Sequence, residues 1–165
     1  NKNGFKVTKL NDLKEPISLY IDGADEIDYQ LNMIKGGGGA LTSEKILASQ
    51  SKKFICIVDE SKLVRKLGKF PLPVEIIDSS ISGIINYLES NFDVIVKKRL
   101  NFLSDHGNPI IDIHRLKIDN PIELENNLNK IPGVVTNGLF CHQKANLCLI
   151  ANKDGVKTIH GDSNK

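Results

Sequence analysis

The amino-acid sequence predicts an α/β protein made of two different units, a parallel-sheet unit and an antiparallel α+β unit. The first prediction depends on two apolar runs, residues 17–21 and 54–58, that flank a segment of helical composition. The second depends on an alternation of strand and helix patterns that begins after the Pro-containing segment 70–73. The chain has 165 residues, 40% of them hydrophobic, which is enough for one domain or two small ones with buried cores.

The first unit is predicted to contain a strand, a helix and a strand. Residues 17–21 form a strand that ends at Asp22, residues 41–51 have helical composition, and residues 54–58 form a strand that ends at Asp59. A continuous apolar run such as residues 54–58 is typical of a strand covered on both faces. The order is that of a βαβ unit, which requires a crossover connection and a parallel sheet.

The second unit is predicted to have the element order βαββαβ. Its expected elements are residues 74–77, 82–88, 94–96, 110–113, 121–129 and 134–136. This order is that of a ferredoxin-like domain. Two final apolar runs, 147–150 and 156–159, are expected to return to the first sheet and so make the second unit an insertion. We therefore expect one domain over residues 1–72 and 139–165, and the other over 73–138.

Charge and composition exclude several functional classes. The 22 basic and 20 acidic residues leave a net charge of +2, whereas a nucleic-acid-binding domain should carry a basic stripe. The short basic clusters 52–53 and 97–99 are expected to be solvated. No apolar stretch approaches the roughly 20 residues of a membrane helix. Three cysteines without a C-x-x-C pair favour a reducing, cytoplasmic setting.

Three polar clusters follow predicted strands or precede the predicted helix, at residues 22–26, 35–39 and 59–62. Ligands of open α/β sheets bind beyond the carboxyl ends of the strands, so we expect these clusters to converge on a site. The glycines of residues 36–39 are either a flexible linker or, because a helix pattern follows them, a backbone cradle for an anion. They match neither the Walker A loop nor G-x-G-x-x-G.

The carboxylates near these glycines allow two interpretations. Asp22 and Asp25 suit turns and helix caps as well as a site. Glu44, in the first turn of the predicted helix, is by itself an ordinary surface residue favoured by the helix dipole. A metal site is not expected, because the four histidines are dispersed and the Cys141-His142 pair with Cys148 lacks a fourth zinc ligand.

The chain resembles the type A ribose-5-phosphate isomerases. The central motifs are residues 20–27 (Tyr-Ile-Asp-Gly-Ala-Asp-Glu-Ile), 33–41 (Met-Ile-Lys-Gly-Gly-Gly-Gly-Ala-Leu) and 44–46 (Glu-Lys-Ile). Further matching segments are residues 53–57, 61–62, 67–75, 131–135 and 154–157. The resemblance implies a Rossmann-like domain with an inserted ferredoxin-like domain. It also implies that the chain interconverts ribose 5-phosphate and ribulose 5-phosphate without metal or cofactor, as a homodimer or homotetramer.

The same resemblance implies that Glu44 accepts the proton. From the chemistry of the reaction, Asp22 is expected to open the sugar ring, although Asp25 could exchange roles with it. Lys35 and the N–H groups of Gly36 to Gly38 are expected to stabilise the enediolate. The residues expected to line the substrate are Asp22, Gly23, Ala24, Asp25, Lys35, Gly36, Gly37, Gly38 and Lys62. The family's N-terminal helix and Gly-Thr-Gly-Ser-Thr phosphate loop have no counterpart in this sequence, so we expect the chain alone to bind the sugar phosphate poorly.

Two other functions remain open from the sequence. A non-catalytic domain that senses sugar phosphates would keep the binding residues and would not need Glu44. A coenzyme A transferase-like enzyme would use a glutamate as nucleophile and should carry a site for the coenzyme, of which the sequence has no sign.

Overall fold

A computed structural model of the chain describes residues 3–4 and 7–161, which form three β-sheets and three α-helices. The strands are β1 Tyr20–Asp22, β2 Glu26–Ile27, β3 Met33–Ile34, β4 Phe54–Asp59, β5 Leu72–Ile76, β6 Ile95–Leu103, β7 Pro109–His114, β8 Val134–Asn137, β9 Leu139–Phe140, β10 Leu147–Asn152 and β11 Gly155–His160. The helices are α1 Leu41–Gln50, α2 Ile81–Asn91 and α3 Pro121–Asn129. None of the helices in the described ranges is long and apolar enough to cross a membrane.

The first sheet has the strand order β1-β4-β10-β11. Strand β4 is parallel to both β1 and β10, and β11 closes the edge antiparallel to β10. Helix α1 connects β1 to β4, which confirms the predicted βαβ unit and the return of the last two strands. Strand β1 begins at Tyr20 rather than at the predicted residue 17, because Ile17 makes only an isolated bridge to Ser51.

The second sheet is antiparallel, with the strand order β6-β7-β5-β8, and its strands alternate with α2 and α3 in the predicted βαββαβ order. Ile84 and Leu88 of α2 pack in the same buried cluster as Val74 and Ile76 of β5 and Ile111 of β7. The fold class predicted from the sequence, a parallel-sheet domain with an inserted α+β domain of ferredoxin-like order, is therefore confirmed.

Strand β6 is three times longer than predicted, and it corrects one expectation. The pairing of β6 with β7 shifts between Lys98 and Leu103, and Asn101 in this bulge has a φ of 52°. A bulge bends a strand and redirects its side chains. Arg99 consequently turns inward, with a side chain only 15% exposed, so the expectation that cluster 97–99 is solvated is wrong for Arg99.

A third, small sheet of β2, β3 and β9 was not predicted. Each of these antiparallel strands has only two residues, which is too short to show a periodic pattern. The sheet contacts both of the others. The Lys35 N–H donates to the Gly138 carbonyl and the Gly138 N–H donates to Pro73 of β5, whereas Met33 packs in the same buried cluster as Phe54 of β4. A side chain at Gly138 would place its Cβ 2.4 Å from the Lys35 carbonyl oxygen, so only glycine fits this close approach.

A buried ion pair between Lys45 of α1 and Glu125 of α3 connects helix α1 to the inserted unit. Lys45 Nζ donates to Glu125 Oε1 of α3 at 2.8 Å, and to the carbonyls of Asn137 and Leu139 at 2.8 and 2.6 Å. The Glu125 side chain is 1% exposed, and its other oxygen accepts the N–H of Cys141 at 2.9 Å. Burial lowers the pKa of Lys45, and the negative charge of Glu125 opposes that shift. The pair holds the helix turn next to Glu44.

We expect Glu125→Ala to lower the free energy of unfolding by about 3–5 kcal/mol, because removing one partner leaves the other charge buried without compensation. Asp119→Ala is the matched control, since it breaks the Lys66–Asp119 pair, whose side chains are 57% and 83% exposed. The loss there should stay below about 1 kcal/mol. Urea denaturation measures both values, and equal losses in the two variants would contradict the prediction.

Candidate active site

A cavity of about 230 Å³ opens at the carboxyl end of β1. Its lining contains every residue predicted for the site except Lys62, namely Asp22, Gly23, Ala24, Asp25, Lys35, Gly36, Gly37, Gly38 and Glu44. These residues come from the end of β1, the segment between β3 and α1, and the first turn of α1. Lys62 is the last residue of a short 3-10 turn that directly follows β4. Strand β4 pairs with β1 in the first sheet, but Lys62 does not line this cavity.

The ammonium group of Lys35 lies at the centre of the polar contacts. Its side chain is 3% exposed. Lys35 Nζ donates to Asp22 Oδ2 at 2.9 Å and to the Gly23 carbonyl at 2.5 Å, and it forms an ion pair with Glu44 Oε1 at 3.4 Å. The Phe140 ring, with its centroid 5.6 Å from Nζ, adds a face that attracts cations. A single buried cation is thus shared between carboxylates from β1 and α1.

Asp22 is held in its ionised form. Burial alone would raise the pKa of Asp22, but the hydrogen bonds donated by Tyr20 and Lys35 outweigh that effect and lower it below its usual value. Asp22 Oδ1 also accepts the Gly23 N–H at 2.8 Å. Burial, followed by the hydrogen bond to Asp22, raises the pKa of Tyr20, so its hydroxyl remains a donor. Asp22 is therefore available to accept a proton.

The glycine loop (residues 36–39) is a fixed turn. The Gly39 N–H donates to the Gly36 carbonyl, and both residues have positive φ, 88° and 97°, which favours glycine. The Gly37 N–H donates to Asp25 Oδ2 at 2.7 Å, and a Cβ at Gly37 would lie 2.6 Å from the other oxygen of Asp25. The flexible-linker interpretation is wrong, because neighbouring atoms constrain Gly36, Gly37 and Gly39.

Gly38 is the open position of the glycine loop. A Cβ there would meet no atom within 4 Å, and its N–H has no acceptor among the residues that the structure describes. Gly38 also lines the cavity. Its N–H is therefore available to a ligand oxygen.

Glu44 combines burial with an unpartnered oxygen. Its N–H makes the first hydrogen bond of α1, to the Ala40 carbonyl, and this helix start aims the side chain into the cavity. Oε1 contacts Lys35, whereas Oε2 is buried and has no hydrogen-bond partner among the described residues. Burial raises the pKa of Glu44 despite the opposing charge of Lys35, and the charges of Asp22 and Asp25 add to the rise. Such a carboxylate is suited to accept a proton.

Arg99 is a residue near the site that the sequence analysis missed. Its Nη1 donates to the carbonyls of Gly37 at 3.0 Å and Gly36 at 3.3 Å. Its Nε and Nη2 both donate to Asp112, each at 2.7 Å. The sequence separation of more than 60 residues left no local pattern that could have revealed this contact. In the described residues, no group of His, Cys, Asp and Glu side chains is arranged to hold a metal ion.

Comparison with known proteins gives consistent results. A family model described as ribose 5-phosphate isomerase A (phosphoriboisomerase A) matches residues 1–155. Ribose-5-phosphate isomerase A of Buchnera aphidicola is 46% identical over 164 residues, which are 99% of this chain and 73% of that protein. The crystal structure of ribose 5 phosphate isomerase A from Neisseria gonorrhoeae has a TM-score of 0.92 at 42% identity, over 98% of this chain and 72% of that one.

A further solved structure carries a ligand. A D-ribose-5-phosphate isomerase in complex with phospho-erythronic acid has a TM-score of 0.91 at 38% identity, over 96% of this chain and 71% of that one.

We expect the Glu44 carboxyl to titrate above the ordinary range of a glutamate, because burial raises its pKa. An NMR titration of the side-chain carboxyl carbon measures this value. Lys35→Met should raise the pKa further, since it removes the ammonium that lowers it. Lys66→Met removes a surface ammonium outside the cavity and should leave the titration unchanged. A Glu44 pKa that stays unchanged in Lys35→Met would show that the ammonium does not act on this carboxyl.

Proposed function

This chain belongs to the ribose 5-phosphate isomerase A family, and we propose on that premise how its residues perform the reaction. The chain is an aldose–ketose isomerase that interconverts D-ribose 5-phosphate and D-ribulose 5-phosphate, a step of the non-oxidative pentose phosphate pathway. The sensor and coenzyme A transferase alternatives are not favoured by these relatives.

We propose Glu44 as the base that moves the proton. Isomerisation removes the proton from C2 of the open-chain aldose and returns a proton to C1 of the enediolate. The observation that carries the assignment is the buried Oε2 of Glu44, which has no hydrogen-bond partner in the part of the chain that the structure describes, on a residue that lines the cavity. A single carboxylate suffices for both transfers, because C1 and C2 are adjacent. The raised pKa of Glu44 makes it a stronger base than an exposed glutamate once it is ionised.

The enediolate needs positive charge or N–H donors at its two oxygens. We propose that Lys35 Nζ and the N–H of Gly38 provide them. The Lys35 ammonium is already positioned by Asp22 and by the Gly23 carbonyl, so it needs little rearrangement during the reaction. Preorganised donors of this kind usually give the largest single contribution to catalysis. The phospho-erythronic acid bound to a relative is an acid, and binding of such an anion supports this assignment.

Asp22, Asp25 and Lys62 are assigned to substrate handling. Ring opening breaks the bond between C1 and the ring oxygen. We propose that Asp22, which its lowered pKa keeps ionised, accepts the proton of the anomeric hydroxyl and gives it to the departing ring oxygen. Asp25 holds the glycine loop through the Gly37 N–H and has a second oxygen for a sugar hydroxyl. We propose that Lys62, which lies in the turn after β4, binds hydroxyl or phosphate oxygens of the substrate.

The domain limits and cellular setting are also proposals. Strand β5 begins at Leu72, and β9 begins at Leu139, which supports one domain over residues 1–72 and 139–165 and the other over 73–138. The described cysteines, Cys56, Cys141 and Cys148, are free thiols, which supports a location in the reducing cytoplasm.

We expect Glu44→Gln to lower turnover by about 10²–10⁴-fold, the usual contribution of a general base. Substrate affinity should change much less, because Glu44 acts mainly in the transition state. Coupled assays of ribulose 5-phosphate formation measure both quantities. In heavy water the unchanged enzyme should incorporate solvent deuterium into the sugar, and the variant should lose incorporation and interconversion together.

Glu123→Gln is the matched control for this experiment. Glu123 lies in the first turn of α3, as Glu44 lies in the first turn of α1, but it is exposed to solvent. Its substitution should leave turnover unchanged. A folded Glu44→Gln protein with near-normal turnover, checked by its thermal melt, would remove Glu44 from the mechanism and leave Asp22 or Asp25 as the base.

We also propose a homodimer or homotetramer. One face of the first sheet presents apolar side chains to solvent, among them Ile21 at 53%, Ile57 at 47% and Val156 at 66% exposure. The pairing registers put these three on the same face, and covering them would remove apolar surface from water. Light scattering at micromolar concentration should give two or four times the chain mass, and a monomer would overturn the proposal.

A further inference from the structure

Arg99 of the inserted unit contacts backbone carbonyls of the glycine loop. Its guanidinium pairs with Asp112 through Nε and Nη2, and this two-point geometry leaves Nη1 for the Gly36 and Gly37 carbonyls. The Phe102 ring, 5.3 Å from the guanidinium carbon, packs beside it. The two charged side chains are 15% and 19% exposed. Arg99 is therefore held in one orientation, and water competes little for its hydrogen bonds.

The position of this guanidinium has a chemical consequence across the peptide bond. The Gly37 carbonyl and the Gly38 N–H belong to one planar peptide unit. A cation that binds the carbonyl oxygen draws electron density toward it, and the N–H at the other end of the unit becomes a stronger donor. Gly38 lines the cavity, and its N–H has no acceptor among the described residues.

We propose that Arg99 is a positioning residue for the isomerase reaction, which fixes the glycine loop and polarises the Gly37–Gly38 peptide so that the Gly38 N–H stabilises the enediolate oxygen. This inference rests on the proposed assignment of that N–H to the oxyanion. The effect grows as negative charge develops on the substrate, so it acts on the transition state more than on the bound sugar.

The test compares Arg99→Met with Lys98→Met. Both remove one positive charge from the same strand, but the Lys98 side chain is 41% exposed and lies 3.8 Å from Asp78, away from the glycine loop. Arg99→Met should lower kcat about 10-fold, less than the 10²–10³-fold loss seen when an oxyanion donor is removed outright. KM should change less than about 3-fold. Lys98→Met should leave both constants near their original values.

Two further measurements separate polarisation from loss of structure. Affinity for phospho-erythronic acid should fall by about the same factor as kcat, while affinity for ribose 5-phosphate is kept. The amide proton of Gly38 should move upfield in the NMR spectrum of Arg99→Met and keep its shift in Lys98→Met. Arg99→Lys keeps a cation but cannot reproduce the two-point pairing together with both carbonyl contacts, so it should fall between the unchanged enzyme and Arg99→Met.

Several outcomes would overturn the proposed role of Arg99. An unchanged Gly38 amide shift, or equal losses of substrate and phospho-erythronic acid affinity, would overturn it. If Arg99→Met does not fold, an Arg99→Lys protein with full kcat and an unshifted Gly38 amide overturns it equally. Absence of isomerase activity in a protein that also carries the family's N-terminal phosphate loop would instead reject the proposed function. An active protein whose Arg99 variants retain full kcat would reject only the role of Arg99.

Discussion

The geometry of the cavity depends on the buried ammonium of Lys35. A cation removed from water costs several kcal/mol unless opposite charges and hydrogen-bond acceptors surround it. Here the acceptors come from separate parts of the chain, with Asp22 and the Gly23 carbonyl after β1 and Glu44 at the start of α1. Satisfying this one group therefore brings the proposed base and the proposed ring-opening carboxylate to the same cavity.

The inserted unit contacts the candidate site region at two places. Through Glu125 it anchors the helix turn that carries the proposed base, since the partner Lys45 is the next residue after Glu44. Through Arg99 it donates hydrogen bonds to the Gly36 and Gly37 carbonyls of the glycine loop. Both contacts are charge-assisted and substantially buried, so they are stronger than typical surface pairs. The first unit carries the proposed reacting groups, and the inserted unit restrains their backbone.

Local patterns predicted the regular elements, and the motifs predicted most of the candidate site. Helix α3 was predicted with its observed ends, 121–129, because Pro121 marks its first turn. The two-residue strands of the third sheet escaped prediction because they are too short to show a periodic pattern. The inward orientation of the Arg99 side chain depends on a β-bulge that no side-chain pattern predicts. The roles of Lys45 and Glu125 likewise depend on a contact across 80 positions.

The unpartnered oxygen of Glu44 has a consequence for the evolution of the protein. Because its pKa is raised in the folded state, the ionised carboxylate destabilises the fold; this cost develops as the pH rises from the unfolded pKa and is fully present above the folded-state pKa. Residues retained for activity at the expense of stability produce a stability–activity trade-off. Laboratory selection for heat resistance alone would therefore favour neutral replacements at position 44. With Glu44 as the proposed base, such thermostable variants would lose turnover unless turnover were selected at the same time.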